Sequence, residues 1–398
     1  MTPEIKQRIE QIRRGEVPEG YKKGKLGVVP EEWEETSFSS LFTSTSDYTD
    51  DLEKYPLYSL TIEDGVTPKT ERYERSHLVK KEDSYKIVRP NDYAYNPMNL
   101  RFGSVARHKG NSPVAVSGYY DIFTTVHKSD LPFMDSFLTC DPMITYYNRV
   151  STGSLVEKQR VHFSQFLEFV LPLPAINERA KIAAILTTQD KVIELKEKRL
   201  AEKQRQKKYL MQQLLTGKKR LPGFSKEWKS VRLRNTLNVC HGQNQRNVEQ
   251  ENGVYPILET GGEIGRTNDF LYDKPSILIG RKGSINKPMY METPFWTIDT
   301  LFYCKIKSGY HPKFLFFKFQ SINWNKYDES SGVPSLNAST IGSVDIFAPE
   351  FPEQTAIAEV LSAADREIDL LRQDIEQEKQ KKKALMQLLL TGIARVKT

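Results

Sequence analysis

Residues 174–217 reappear, without a gap, at 349–392. A shift of 175 residues pairs Pro174 with Pro349, Glu178 with Glu353, Ile182-Ala183 with Ile357-Ala358, Leu186 with Leu361, Asp190 with Asp365, and Ile193 with Ile368. The match is strongest at its end. There Lys207-Lys208 and Leu210-Met211-Gln212-x-Leu214-Leu215-Thr216-Gly217 face Lys382-Lys383 and Leu385-Met386-Gln387-x-Leu389-Leu390-Thr391-Gly392. A period of 175 residues is far too long for a solenoid unit, so the chain is a duplicated half. Two like halves imply two like ligands.

Each repeated segment reads as one long helix, opened at its proline and closed at its glycine. In the second copy Ile357, Leu361, Ala364, Ile368, Leu371 and Ile375 alternate steps of four and three, and the period returns at Leu385 and Leu389. The first copy has Ile182, Leu186, Ile193, Leu200, Leu210 and Leu214, interrupted by Gln189, Lys196, Lys203 and Lys207. A 3.5-residue period is a coiled-coil seam. Neither helix can hide its stripe alone. The globular segment between them lets the two run antiparallel as a spacer of roughly 60 Å, at 1.5 Å per residue. The Lys/Arg-rich stretch Lys196–Lys208 reads as a solvated flank, with contact to phosphates as the other reading.

The remainder divides around these helices. Residues 1–29 form an N-terminal helix and linker: Thr2-Pro3 opens it, Ile5, Ile9 and Ile12 stripe one face, and Gly15 stops it. Residues 30–173 form a first globular domain. Its expected strands lie at Tyr85–Arg89, Gly103–Arg107, Val114–Ser117, Ile122–His127 and Met143–Tyr147, with a helix at Pro132–Leu138. After the helix and linker of 174–221 comes a second globular domain, 222–348, with strands at Ser276–Gly280 and Leu301–Ile306 and a helix at Pro312–Gln320. The second long helix and tail occupy 349–398. The fold class is α+β: two mixed domains separated by two antiparallel coiled-coil helices, in pseudo-twofold duplication.

The globular domains match weakly but in order. Glu32-Trp33 corresponds to Glu227-Trp228, Tyr55-Pro56 to Tyr255-Pro256, Gly103-Ser104 to Gly283-Ser284, Pro132 to Pro312, and Ser151-x-Gly153 to Ser330-x-Gly332. The offsets slip, as expected when loops diverge over a shared scaffold.

A net charge of +7 favours a polyanionic partner without naming one. Cys140, Cys240 and Cys304 form no C-x-x-C pair, which excludes a zinc ribbon and a disulfide framework and suits a reducing cytoplasm. The first residues, MTPEIKQRIEQIRRGE, lack an apolar core, and no run of 18 apolar residues occurs, so a soluble, unexported protein is expected with no membrane partner. No P-loop and no G-x-G-x-x-G after a strand is present. Asn96-Pro97-Met98 and Asp141-Pro142-Met143 lack the second proline and the aromatic residue of an amino-methyltransferase site. No metal-ligand spacing and no nucleophile–base set can be found, so the chain is expected not to be a catalyst.

The loops instead carry Arg, Lys, Asn and Gln. In the first half these are Lys69, Arg72, Arg75, Asn96, Asn99, Arg101, Arg107 and Lys109. In the second half they are Gln243, Asn244, Arg246, Arg266, Arg281, Lys282, Asn286 and Lys287. Arg and Lys suit guanine O6/N7, Asn and Gln suit adenine N6/N7, and all of them also contact phosphates. Ordinary solvated loops are the other reading of the same residues.

Over nearly its whole length the chain resembles the specificity subunits of type I restriction–modification enzymes. The resemblance is firmest where each domain runs into its helix, at Leu171-Pro172-Leu173-Pro174-x-x-x-Glu178-x-x-x-Ile182-Ala183 and Phe347-Ala348-Pro349-Glu350-Phe351-Pro352-Glu353-Gln354-x-x-Ile357-Ala358, and where each helix ends in Leu-Met-Gln-x-Leu-Leu-Thr-Gly. Leu221-Pro222-Gly223-Phe224 before Glu227-Trp228, and Ile279-Gly280-Arg281-Lys282-Gly283-Ser284, also resemble that family. Asn177-Glu178-Arg179 departs from the usual Glu-Gln, and Asn286 replaces a frequent glycine.

The resemblance implies two target-recognition domains, each reading one half of a bipartite site in double-stranded DNA. Two methyltransferase (modification) subunits would dock on the helices, at apolar residues such as Leu210, Leu214, Leu385 and Leu389. Restriction subunits would join them. S-adenosylmethionine, ATP and Mg would sit on those partners and none on this chain. A stand-alone two-domain DNA-binding regulator, or a coiled-coil scaffold with no nucleic-acid role, are the alternatives.

Overall fold

The computed structural model describes residues 2–45, 47–69, 85–155 and 159–396. The chain divides into two compact units, Met1–Leu195 with Ile375–Thr398, and Lys196–Asp374. The division falls inside both long helices, Ile176–Leu214 and Phe351–Leu389, so each unit holds one globular domain, the start of one helix and the end of the other.

Both helices stop in the same way. Gly217 and Gly392 adopt left-handed φ angles of +73° and +70°, which only glycine takes at little cost. The amide of Gly217 then donates to Leu214 O at 3.4 Å and that of Lys219 to Gln213 O at 3.2 Å, while Gly392 donates to Leu389 O at 3.2 Å and Ala394 to Leu388 O at 2.9 Å, so the terminal carbonyls of both helices are satisfied in the same way.

Within each unit the two helix segments lie antiparallel. In the first unit Glu178 pairs with Arg395 (2.7 Å), Asp190 with Lys382 (2.6 Å), and the buried Gln189 donates to Glu378 (2.6 Å). In the second unit Glu353 pairs with Arg220 (2.6 Å), Asp365 with Lys207, Glu367 with Lys203 (2.8 Å), and Asp374 with Lys196 (2.8 Å). The 175-residue shift carries Glu178–Arg395 onto Glu353–Arg220 and Asp190–Lys382 onto Asp365–Lys207. The lysines of the first helix's middle stretch therefore face acids of the second helix. The expected seam residues Ile182, Leu186, Ile193, Ile357, Leu361, Ile368, Leu371 and Ile375 are buried.

The globular domains share one plan. In the first, Glu34–Ser37 pairs antiparallel with Val170–Leu173, the strand that feeds the helix; in the second, Lys229–Arg232 pairs in the same way with Asp345–Ala348. A one-turn helix follows in each, Phe38–Leu41 or Leu233–Thr236. Then comes a four-stranded antiparallel sheet. Its order is Phe42–Thr45, Asp121–Thr125, Tyr93–Tyr95, Val105–Arg107 in one domain and Leu237–Cys240, Leu301–Ile306, Ser276–Gly280, Met289–Met291 in the other. The match that is weak in sequence is plain in topology.

The two cores are filled differently. Phe38, Phe42, Tyr93, Tyr95, Phe123 and Phe166 meet edge-on or stacked in the first, and each such pair adds about 0.5–1.5 kcal/mol beyond burial. Leu233, Leu237, Ile277, Ile279, Leu315 and Ile341 make the second largely aliphatic around Trp324.

Two local expectations fail. Met143–Tyr147 is not a strand: it lies in the helix Asp141–Val150. Pro142 is set for a first turn, and Met143, Tyr146 and Tyr147 bury one helical face, which outweighs the β preference of Ile, Thr and Tyr. Thr2 precedes the helix Pro3–Arg13 as foreseen, but its side chain makes no cap hydrogen bond.

Candidate nucleic-acid interface

In each domain one strand of the four-stranded sheet leads through a glycine-bent turn into its edge neighbour. After Tyr93–Tyr95, Asn96 Oδ1 accepts the Met98 amide at 3.1 Å, a 3₁₀ turn covers Leu100–Phe102, and Gly103 takes φ +92°. After Ser276–Gly280, Gly283 takes φ +85°. In both, the amide two residues on folds back to the glycine carbonyl, Val105 to Gly103 and Ile285 to Gly283, each at 2.8 Å. Arg101-Phe102 and Arg281-Lys282 therefore occupy equivalent places before the bend.

A second loop backs each turn. Val161 N–H donates to Pro97 O at 3.1 Å, and Arg101 Nη1 to Gln159 Oε1 at 3.0 Å. In the other domain Gly283 N–H donates to Pro334 O at 2.8 Å and Leu336 N–H to Arg281 O at 2.9 Å. These backing loops carry, or directly follow, Ser151-x-Gly153 and Ser330-x-Gly332. In the first domain that loop is tied to the serine–glycine match through the Thr152–Arg160 bridge, and in the second it follows the match directly.

At the tips, Phe102 is 50% exposed and lies 4.5 Å from the Arg101 guanidinium. Lys282 is exposed, and Arg281 donates to Asp299 O at 3.2 Å. A third loop joins in the second domain. The amide of Gln243 donates to Thr297 O and Trp296 Nε1 donates to Gln243 O, both at 2.8 Å, while Arg281 N–H reaches Thr300 O at 2.8 Å. Gly242 is needed here because a β-carbon would fall 2.0 Å from Ile298 O. Gln243, Asn244 and Arg246 are left exposed, with Asn244 Oδ1 accepting the Arg246 amide at 2.9 Å.

The other expected contacts scatter. Lys69, Asn99 and Lys287 are exposed. Lys109 is exposed 3.6 Å from Asp135, and Arg266 is exposed but paired with Glu263 at 3.0 Å. Asn286 holds the Trp324 amide at 2.8 Å with the side-chain oxygen meant for a base. Arg72 and Arg75 lie outside the described residues.

Three expectations need correction. Asn96 is buried and its carboxamide oxygen shapes its own turn. Arg107 is clamped by both Asp135 oxygens (2.9 and 2.7 Å) and by Asn91 (2.6 Å), and the hydrogen bond to Asp135 raises its pKa, so it is spent inside the domain. Leu214 and Leu389 are not docking surface: they sit in the cores, with Leu210 and Leu385 packed against those cores, because each helix end covers the domain of the unit it ends in rather than the domain it starts from.

Phe102 was missed because an aromatic residue in a loop reads as core until its turn is known. Arg220 and Arg395 were missed although the 175-residue shift relates them. Among the described residues no His/Cys/Asp/Glu group could hold a metal ion, and no helix is long and apolar enough to cross a membrane.

The family model for the type I restriction modification DNA specificity domain matches residues 225–380. The putative type I restriction enzyme MjaX specificity subunit of Methanocaldococcus jannaschii is 26% identical over 96% of this chain and 98% of its own. The MjaVIII specificity subunit of the same organism is also 26% identical, over 58% of this chain and 64% of its own. The crystal structure of the type I restriction-modification S subunit from M. genitalium shares the fold, with a TM-score of 0.59 at 15% identity, covering 92% of this chain and 97% of that one. The domain model, relatives named as specificity subunits along the chain, and the shared duplicated fold agree with the motifs at the helix starts and ends: residues 225–380 match the type I DNA specificity domain, and the chain as a whole is similar to type I restriction–modification specificity subunits.

Proposed function

We propose that this chain is the DNA-recognition subunit of a type I restriction–modification complex, and that each globular domain reads one half of a bipartite, asymmetric site. The observation that carries the reading is the duplicated pair of loops: each domain presents the same glycine-bent turn with a polar or basic neighbour, backed by the same second loop. A net charge of +7 supplies the phosphate attraction that positions such loops on a duplex. The chain selects sequence and does no chemistry. Two methyltransferase subunits carrying S-adenosylmethionine dock on it, and restriction subunits supply ATP- and Mg-dependent cleavage, in the cytoplasm. The globular parts 30–173 and 222–348 are the readers, and 174–221 and 349–398 set the gap between half-sites.

Exchange of residues 31–173 for the matching domain of a homologue tests the reading by methylome sequencing. One half of the methylated word should change and the other stay; a change in both, or in neither, overturns it. The spacer role has its own test. One heptad inserted into each helix, between Lys196–Lys203 and between Leu371–Glu378, keeps the seam and adds about 10 Å, or about three base pairs. The words should persist with a wider gap and weaker activity. The original gap at full activity would remove the helices from that role.

A further inference from the structure

We infer that Phe102 determines specificity in the first domain, by apolar contact with the 5-methyl group of a thymine in the first half-site. The inference rests on the DNA-recognition reading above and names one contact within it.

A singly exposed apolar residue needs no explanation of its own. Phe102 is different because of where it stands and how it is held. It occupies the tip of the glycine-bent turn, the position that Lys282 fills in the second domain. The turn beneath it is tightly bonded: Leu100 N–H to Asn96 O (2.9 Å), Gly103 N–H to Leu100 O (2.7 Å), Ser104 N–H to Asn99 O (3.1 Å). Asn148 Nδ2 anchors it from the helix behind, donating to Arg101 O at 2.8 Å. One face of the ring is covered by the Arg101 guanidinium at 4.5 Å, and that guanidinium is itself held by Gln159 at 3.0 Å. Half of the side chain still faces solvent.

An aromatic ring beside a fixed cation, on a turn that loses little entropy on binding, suits a base edge flanked by phosphates. In the major groove thymine is the base that offers an apolar group, and Phe is one of the side chains that meets it. Lysine at the equivalent place suits guanine O6/N7 or a phosphate instead. The same turn thus carries opposite chemistries at its two tips, which fits two domains that read different words.

The test uses the full chain assembled with its modification subunits. Once the methylated word is known, synthetic duplexes carry deoxyuridine in place of each thymine in turn, which removes only the methyl group. For the wild type, one substitution in the first half-site should lower affinity about fourfold, the worth of one buried methyl group. With Phe102→Ala that sensitivity should vanish while the second half-site is read as before, and Phe102→Leu should keep it. The inference is overturned if no thymine in the first half-site is sensitive, if the half-site contains no thymine on either strand, or if Phe102→Ala keeps the sensitivity. A complex that methylates no defined word fails the recognition reading itself, a separate result. Because the ring is half exposed, Phe102→Ala should fold normally, and the unchanged second half-site checks this in the same experiment.

Discussion

Gly217 and Gly392 occupy one place in the repeat, yet alanine should be tolerated very differently at the two. Both residues are left-handed, at φ +73° and +70°, where a side chain costs about 1–2 kcal/mol. A β-carbon on Gly217 would lie 3.4 Å from Cδ2 of Trp228, a contact that small adjustment accommodates. On Gly392 it would lie 2.4 Å from Cγ of Pro30 and 2.9 Å from Cζ2 of Trp33. Neither neighbour can easily give way: Pro30 is in the hairpin strand Gly27–Pro30, and Trp33 is buried. Retreat of the backbone would in turn break the 2.8 Å hydrogen bond from Tyr21 OH to Gly392 O. Overpacking of this kind adds about 1–3 kcal/mol. Gly217→Ala should therefore cost about 1 kcal/mol and Gly392→Ala about 3 kcal/mol. For units of this size each kcal/mol moves the melting temperature by about 2–4 °C, giving shifts of roughly 2–4 °C and 6–12 °C. Calorimetry of the full chain measures both, with pulsed hydrogen exchange assigning each transition to its unit. Equal shifts, or a larger one for Gly217→Ala, would refute the steric argument.

Other outcomes follow from single contacts. Glu353→Ala should destabilise its unit more than Glu178→Ala does, by about 1 kcal/mol in urea unfolding. Trp228 Nε1 would lose its acceptor at 3.2 Å, whereas Trp33 Nε1 has none among the described residues and Arg395 keeps Glu32 at 3.0 Å. Burial lowers the Lys318 pKa from 10.5 to about 8, so between about pH 8 and 10.5 the unfolded chain holds a proton that the folded one has released. Stability of the wild type relative to Lys318→Met should rise with pH across that window, and a flat or falling difference would count against it. Leu389→Ala in the isolated chain should cost about 2–5 kcal/mol, because Leu389 belongs to a core; an unchanged melting temperature would return it to the docking surface.

The helices were legible because their evidence is local and repeated. A 3.5-residue apolar period, a proline at one end and a glycine at the other need no tertiary partner to be read. The same holds for strands such as Ser276–Gly280 and Val114–Ser117, whose runs of β-branched residues the structure confirms. Met143–Tyr147 escaped because its residue types favour a strand while its burial spacing is helical, and only the neighbouring core decides between them. Candidate contacts were harder to place for a related reason. Arg107 and Arg101 look alike in a loop, but one meets Asp135 and the other supports an exposed ring.

The sequence by itself determined that this chain is a doubled half with two long helices, and which family it resembles. Tertiary structure alone decided which loops act together. The pairing of Arg101 with Gln159, or of Gly283 with Pro334, joins segments 58 and 51 residues apart, and no local period encodes that meeting. It also decided that Leu214 and Leu389 face inward, since a stripe on a helix says that a side must be covered and not what covers it. Periodicity specifies a surface; only packing specifies its partner.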